Sequence, residues 1–354
     1  MQDQAEELHD AVSRWLAHGF PDARRAACVA DRDGAPEAVW RDLAGLGVLG
    51  ALAPEEAGGI DVSAAAIARI AEAFGRRLFT EPWTPVAVAA TAVLREWRPE
   101  ALPAIVAGAA RPVLAWTEPR RRWARAPQAT RQEGGRVSGV KTVVWGGARA
   151  DAFILSACGE DGAPLLLLAP AAAATLRPYR SFDGCDAAEV VIDGWIPPES
   201  AVLARGGAAM NTLDRALDLA ALAACGEALG AMERALELTL EHLRTRAQFG
   251  RPLAANQALR HRLADWRAEM ELSRALVARA AREFETPARA RLVAAAKHLT
   301  GETARLAANE GVQMHGGIGV TDEAEISRCH RRLMALDMQF GNAAAQLARF
   351  RAAG

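Results

Sequence analysis

Two stretches of this chain carry residue types that can hold a phosphate-bearing ligand: RTRAQFGRPLAANQ at 244–257 and QMHGGIGVT at 313–321. In the first, the Arg246 guanidinium offers a planar fork of N–H donors that matches phosphate oxygens. Gln248, Phe249 and Gln257 around it supply polar edges and an apolar face. In the second, Gln313 stands beside Gly316 and Gly317, where the missing Cβ lets a backbone approach a ligand closely. The same residues would also serve as a solvated cation at a helix end followed by a plain turn. Residue types alone leave both readings open.

The elements that must position them fall into three compositional regimes. Residues 1–113 are rich in Ala and Leu at helical spacing, with Pro and Gly confined to joints such as Phe20-Pro21 and Gly58-Gly59. From 114 to 205 short β-branched runs take over (Val143-Val144, Phe153-Ile154-Leu155, Val190-Val191-Ile192), bounded by Gly134-Gly135, Gly146-Gly147 and Pro197-Pro198, which is how antiparallel strands read. Long helices return over 206–354. There Leu236, Leu240 and Leu243, then Leu259, Leu263, Trp266 and Met270, recur at spacings of three and four and make apolar stripes. Gly250-Arg251-Pro252 separates the two helices, and Asn256 can start the second. Helices so striped predict an antiparallel bundle. A stripe left bare would be a liability, so the bundle is expected to meet another chain as a dimer or a dimer of dimers.

Composition narrows the function classes. Formal net charge is −1 over 354 residues, which points away from nucleic acid and from anionic membrane surfaces. Cys28, Cys158, Cys185, Cys225 and Cys329 are scattered and odd in number. That argues against a disulfide framework or a metal site and suits a reducing cytoplasm. No apolar run reaches the roughly 18 residues that a membrane span needs, and the chain opens on an acidic amphipathic helix rather than a leader.

Both motifs, in this order with helices between them, resemble the C-terminal half of the acyl-CoA dehydrogenase family, flavoenzymes that introduce an α,β double bond into a thioester. The likeness extends to LAGLGVLGALAPEEAGGID at 43–61, LAWTEP at 114–119, VSGVKTVVWGGARADAFIL at 137–155 and VVIDGWIPP at 190–198. It implies three parts: an N-terminal helical domain, a middle antiparallel β domain and a C-terminal helical bundle that oligomerises and carries the adenine side of FAD. It assigns Arg246 to the flavin pyrophosphate and Gln248, Phe249 and Gln257 to the adenosine end. Gln313, Gly316 and Gly317 become the close-approach turn, and Trp116 and Thr117 the opening of the flavin loop. An acyl-CoA substrate and an electron-transfer flavoprotein or similar acceptor are implied with them.

The ring half of the site departs from the family pattern. After Thr117-Glu118-Pro119 the family has small residues, glycine, serine and aspartate. Here Arg120-Arg121-Arg122-Trp123-Ala124 follow, so Trp123 stands at the serine. After Lys141 the family's ring-contacting tryptophan and threonine are replaced by Val143 and Trp145, and an indole offers a single N–H. The arginine run could grip phosphates, but a solvated loop is the simpler reading. The carboxylate base is absent from both of its family positions, which fall at Ala220 and near Gly341. The neighbouring coenzyme A arginine falls at Ala221, although Asp218 is kept. Asp337 is the nearest carboxylate to the lost base and the one candidate for proton abstraction in this chain.

This combination is similar to the small subunits of heteromeric members such as pimeloyl-CoA dehydrogenase, most clearly over GGIGVTDEAEISRCHRRLMALDMQFGNAAAQLARF. In such assemblies two related chains share a flavin. The resemblance therefore implies a subunit of a homo- or hetero-oligomeric acyl-CoA dehydrogenase, with a second dehydrogenase-like chain as partner. The alternative is a member that has lost dehydrogenation and only binds a thioester or supports an assembly.

Overall fold

The computed structural model of the protein describes residues 2–31, 34–248 and 250–353. Two compact units emerge: Met1–Arg14, Phe20–Ser63 and Thr80–Ala220 make one, and Trp15–Gly19, Ala64–Phe79 and Ala221–Gly354 make the other. Helices α1 (Gln2–Gly19), α2 (Asp22–Ala30), α3 (Ala35–Gly45), α4 (Ala64–Arg76), α5 (Thr91–Trp97) and α6 (Leu102–Val106) come first, with a π-helical turn at Thr84–Ala90 running into α5.

Strands β1 (Pro112–Ala115), β2 (Arg131–Glu133), β3 (Arg136–Trp145), β4 (Ala152–Cys158), β5 (Pro164–Pro170), β6 (Thr175–Arg180), β7 (Asp186–Trp195) and β8 (Val202–Arg205) then build one sheet in the first unit. Its order is β6-β7-β3-β2-β4-β5-β8, with β1 also on β4. The Val190-Val191-Ile192 run lies in β7, and β8 follows it at the sheet edge. The sheet is mixed rather than wholly antiparallel. β1 runs parallel to β4, with Pro112 opposite Ala152, and β2 meets β4 in parallel at Arg131 opposite Cys158. Hairpins enforce antiparallel pairing, whereas β1 is fed by helices and has no such constraint. Where β3 pairs with β7 the register slips between Lys141 and Val144, and Val143 sits in this bulge at φ +52°. A β-branched residue rarely adopts that conformation.

The second unit takes α7 (Gly206–Thr245) from Ala221 onward, then a hairpin of β9 (Ala247–Gln248) and β10 (Arg251–Pro252). After it come α8 (Gln257–Arg282), α9 (Arg289–His315), α10 (Glu325–Met338) and α11 (Ala343–Ala352), with α9 packed on α8, α10 and α11. Leu236, Leu243, Leu263, Trp266 and Met270 are buried by this chain's own bundle. The stripes are thus largely core within this chain, with only Leu240 and Leu259 half-buried, so they are not by themselves the surface that meets another chain. α4 crosses α7 backbone to backbone. A Cβ on Gly226 would lie 2.1 Å from the Ala68 carbonyl oxygen, and one on Gly230 2.0 Å from that of Glu72. The helices touch there only because those side chains are missing.

A buried acid cluster sits in the first unit. Arg149 pairs with exposed Asp31 at 2.8 Å and reaches Glu81 at 3.7 Å and Asp186 at 3.6 Å, both buried. One oxygen of each buried carboxylate lacks a hydrogen-bond partner among the described residues. Burial pushes the Glu81 carboxyl up to about 7, with Arg149 opposing and Asp186 adding to the rise. The folded protein therefore keeps a proton that the unfolded chain releases above its ordinary value of 4.5. That contribution is complete below pH 4.5 and is lost as pH rises toward 7. Its size is up to about 3 kcal/mol. Glu81→Gln should match the wild type in thermal stability near pH 5 and exceed it near pH 8. Parallel melting curves across that range would refute the assignment.

Candidate functional site

The glycine-flanked motifs converge at one end of the bundle. Arg246 follows the last turn of α7, and its main-chain N–H donates to the His242 carbonyl at 2.8 Å. The hairpin then closes as the Leu253 N–H donates to the Arg246 carbonyl at 2.9 Å, turning at Gly250 with φ +77°. Gln248 lies in β9 and Gln257 opens α8. Gln313 is in the last turn of α9, whose C-terminus runs into Gly316 at φ +67° and then Gly317. Two contacts bring the three helix ends together. His242 and His315 stack with ring centroids 4.4 Å apart, and Arg262 of α8 pairs with Glu310 of α9 at 2.6 Å. Arg246, Gln248, Gln257, Gln313, Gly316 and Gly317 are all exposed there. Phe249 lies outside the described residues. Among the described residues the Arg246 side chain has no hydrogen-bond or ion-pair partner, so its fork is open to an anion. This donor set fits a nucleotide diphosphate.

Trp116 and Thr117 belong to the other unit, where they open a loop that is held from beneath. Lys141 of β3 is fully buried, and its Nζ donates to Glu118 Oε1 at 3.0 Å, Ser156 Oγ at 3.1 Å and the Trp116 carbonyl at 3.4 Å. Glu118 in turn accepts the main-chain N–H groups of Gln128, Ala129 and Thr130 at 2.9–3.0 Å. Burial would raise the Glu118 carboxyl, but Lys141 and those N–H groups outweigh it and hold it well below the usual carboxylate range. Burial pushes Lys141 down against the pull of Glu118. The Thr117 hydroxyl donates to the Thr142 carbonyl, and Thr142 N–H returns a bond to the Thr117 carbonyl at 2.9 Å.

The loop is pinned again from its far side. Arg125 donates to Asp214 at 2.8 Å and to Asp218 at 2.9 Å, both on α7. Arg125 lies just past the 120–122 run, whose Arg120 and Arg122 are exposed, and its ion pairs fasten the loop to α7. Sequence reasoning missed this, because an ion pair spanning 93 positions leaves no local signal. Arg120 and Trp123 both take left-handed conformations, at φ +61° and +63°. The bulky replacements therefore occupy a turn whose geometry favours glycine. Val143, which the resemblance sets in place of the ring-contacting tryptophan, is 41% exposed.

At the positions that the resemblance gives to the base and to the coenzyme A arginine, Ala220 and Ala221 are fully buried in α7. Gly341 sits at φ +106°, and a Cβ there would lie 2.6 Å from Gln346 Nε2. Asp337, 6% exposed, turns its carboxylate into the bundle, where Oδ1 accepts the Ala343 N–H at 3.0 Å and helps start α11. Buried Lys297 donates to the carbonyls of Leu336 and Asp337 at 2.9 and 3.0 Å. Asp337 does not join the end where the two glycine-flanked motifs lie. Lys297 and His315 lie eighteen residues apart along α9, about 27 Å at the rise of a helix.

Among the described residues no cluster of three His, Cys, Asp or Glu side chains could hold a metal, and no helix is long and apolar enough to cross a membrane.

Comparison with known proteins agrees with this anatomy. The family described as "Acyl-CoA dehydrogenase, N-terminal domain" matches residues 2–97, and "Acyl-CoA dehydrogenase, C-terminal domain" matches 208–353. Acyl-CoA dehydrogenase IpdE2 of Mycobacterium tuberculosis is 29% identical over 93% of this chain and 91% of its own length. A variant of the Tcur3481-Tcur3483 steroid ACAD superposes with a TM-score of 0.87 at 28% identity, covering 99% of this chain and 98% of that one. The ChsE4-ChsE5 complex of Mycobacterium tuberculosis shares the fold, with a TM-score of 0.84 at 24% identity over 98% and 96% of the two chains. With helical ends flanking a β middle, and family matches on both helical parts, this chain belongs to the acyl-CoA dehydrogenase family, oxidoreductases that act on CH–CH bonds.

Proposed function

We propose that this chain is a subunit of a heteromeric, FAD-dependent acyl-CoA dehydrogenase, holding the adenine side of a cofactor whose ring site and base lie in a related partner chain. One contrast carries the reading: Arg246 is exposed and, among the described residues, without a hydrogen-bond or ion-pair partner, whereas the base position at Gly341 is a left-handed turn that a glutamate would strain. Bound FAD would accept the β-hydrogen as hydride, which no side chain can do. Arg246 would hold the diphosphate, with Gln248, Phe249, Gln257 and Gln313 toward the adenosine and Gly316-Gly317 as the close-approach backbone. Trp116 and Thr117 would border the ring loop.

Within this enzyme the chain divides as a helical domain at 1–113, a β domain at 114–205 and the oligomerising bundle at 206–354. Strand β1 starting at Pro112 and β8 ending at Arg205 support those limits. An electron-transfer flavoprotein or similar acceptor would reoxidise the cofactor. A cytoplasmic setting completes the reading, and five free, buried cysteines support it. The test is co-expression with a dehydrogenase-like partner that carries the glutamate, followed by a flavin count. Arg246→Ala should strip flavin from that heteromer while leaving assembly intact, since a charged hydrogen bond contributes about 1.5–3 kcal/mol, roughly 10- to 100-fold in affinity. Full flavin retention by the variant would remove Arg246 from the site.

A further inference from the structure

The geometry points to the stacked pair His242–His315 as a positioning clamp that sets Arg246 against the Gly316-Gly317 turn, and so fixes the spacing of the nucleotide diphosphate site. This rests on the adenine-side reading above.

Each imidazole sits on the last turn of its own helix, directly before one half of the site. His242 is one turn ahead of Arg246, whose N–H it accepts at 2.8 Å through its carbonyl. His315 is the final residue of α9, and Gly316 follows at φ +67°. The rings lie 24° from parallel, with centroids 4.4 Å apart. A second bond fixes the orientation of His315, whose Nδ1 lies 2.8 Å from the Gly311 carbonyl oxygen. Just below, α10 packs close to α9: a Cβ on Gly311 would fall 2.7 Å from Ile326 Cδ1. Burial, then the facing ring and Arg246, hold His242 below the usual histidine range, and burial does the same for His315. Near neutral pH the rings therefore meet uncharged and stack without repulsion. Helix ends fray, and a bare arginine after a last turn would sample many positions. The stack removes that freedom at the two points where a diphosphate must be met, which is pre-organisation rather than added contact.

The experiment uses the full chain with ADP as probe, followed by calorimetry or saturation-transfer NMR. An aromatic pair of this kind predicts that His315→Leu weakens ADP about 3- to 10-fold. His315→Phe and His242→Tyr, which restore a ring face without the imidazole, should return affinity to within about 3-fold of wild type. Melting curves of the Leu and Phe variants should match, since both fill the same space. Leu and Phe variants of equal affinity would overturn the clamp, whether both bind as wild type or both are weakened. Arg246→Ala separates the two ideas. If it abolishes ADP binding while His315→Leu binds ADP as the wild type does, the site stands and the clamp falls. If it leaves ADP binding untouched, the adenine-side reading itself is wrong and the clamp falls with it.

Discussion

Purified alone, the chain is expected to oxidise an acyl-CoA about 10²–10⁴-fold more slowly than when assembled with a glutamate-bearing partner, the usual cost of removing a general base. A base must reach the α-proton from an open cleft, and none of the three positions in question offers that. Ala220 is fully buried and has no proton to exchange. Position 341 holds a glycine at φ +106° whose Cβ direction is already filled by Gln346. Asp337 is turned inward, accepting the Ala343 N–H. Flavin affinity should fall independently. Trp123 and Trp145 stand where two hydroxyl contacts are expected, each worth about 0.5–1.5 kcal/mol, so together one to two orders of magnitude. The measurements are flavin per chain after purification and single-turnover bleaching by acyl-CoA, with and without partner. Asp337→Asn is the control. Asparagine keeps an oxygen for Ala343, so the heteromer's rate should not change. Stoichiometric FAD and ordinary turnover in the lone chain would sink the heteromer reading, and a 10²-fold or greater loss in Asp337→Asn would make that residue the base.

Much of this architecture was legible in the chain, and the failures share a cause. The change from helical spacing to runs such as Phe153-Ile154-Leu155 marks the sheet, because strand and helix periods are local properties. β4 covers that run, buried on both faces. The glycines at 226 and 230 were not legible as contacts: inside a helix they look like weaknesses, and only the crossing of α4 makes them necessary. Parallel pairing of β1 with β4 was equally hidden, since β1 lies forty residues upstream of its partner. In the site, Arg246 and Gly316 could be singled out because each motif is contiguous. The residues that tie the motifs down are not contiguous with them. Arg125 with Asp218, His242 with His315 and Lys141 with Glu118 are all pairs made in space. A contiguous motif can be singled out from sequence, whereas the pairs that fasten it exist only once the chain has folded.

Replacing Lys141 with methionine should cost about 3–5 kcal/mol, the range for leaving a buried charge without its partner. Methionine nearly matches the lysine stem in volume, so packing is kept and the loss is electrostatic. Glu118 would retain its three main-chain donors but lose the charge that offsets its burial. Ser156 Oγ and the Trp116 carbonyl would lose their donor as well. The consequence is local before it is global. Residues 119–130 are fastened by Glu118 at one end and by the ion pairs of Arg125 to Asp214 and Asp218 of α7, and exposed Arg120 and Arg122 lie between the two anchors. Releasing the first should open that stretch to trypsin while the bundle, a separate compact unit, stays resistant. Glu118→Gln in the Lys141→Met background should recover part of the stability, because the orphaned charge is gone, yet leave the loop cleavable, because the neutral amide accepts the Gln128, Ala129 and Thr130 donors more weakly. Trypsin mapping and urea midpoints on the single and double variants check both halves. If Lys141→Met resists trypsin as the wild type does, the buried pair is not what holds this loop, and Arg125 with Asp214 and Asp218 must hold it alone.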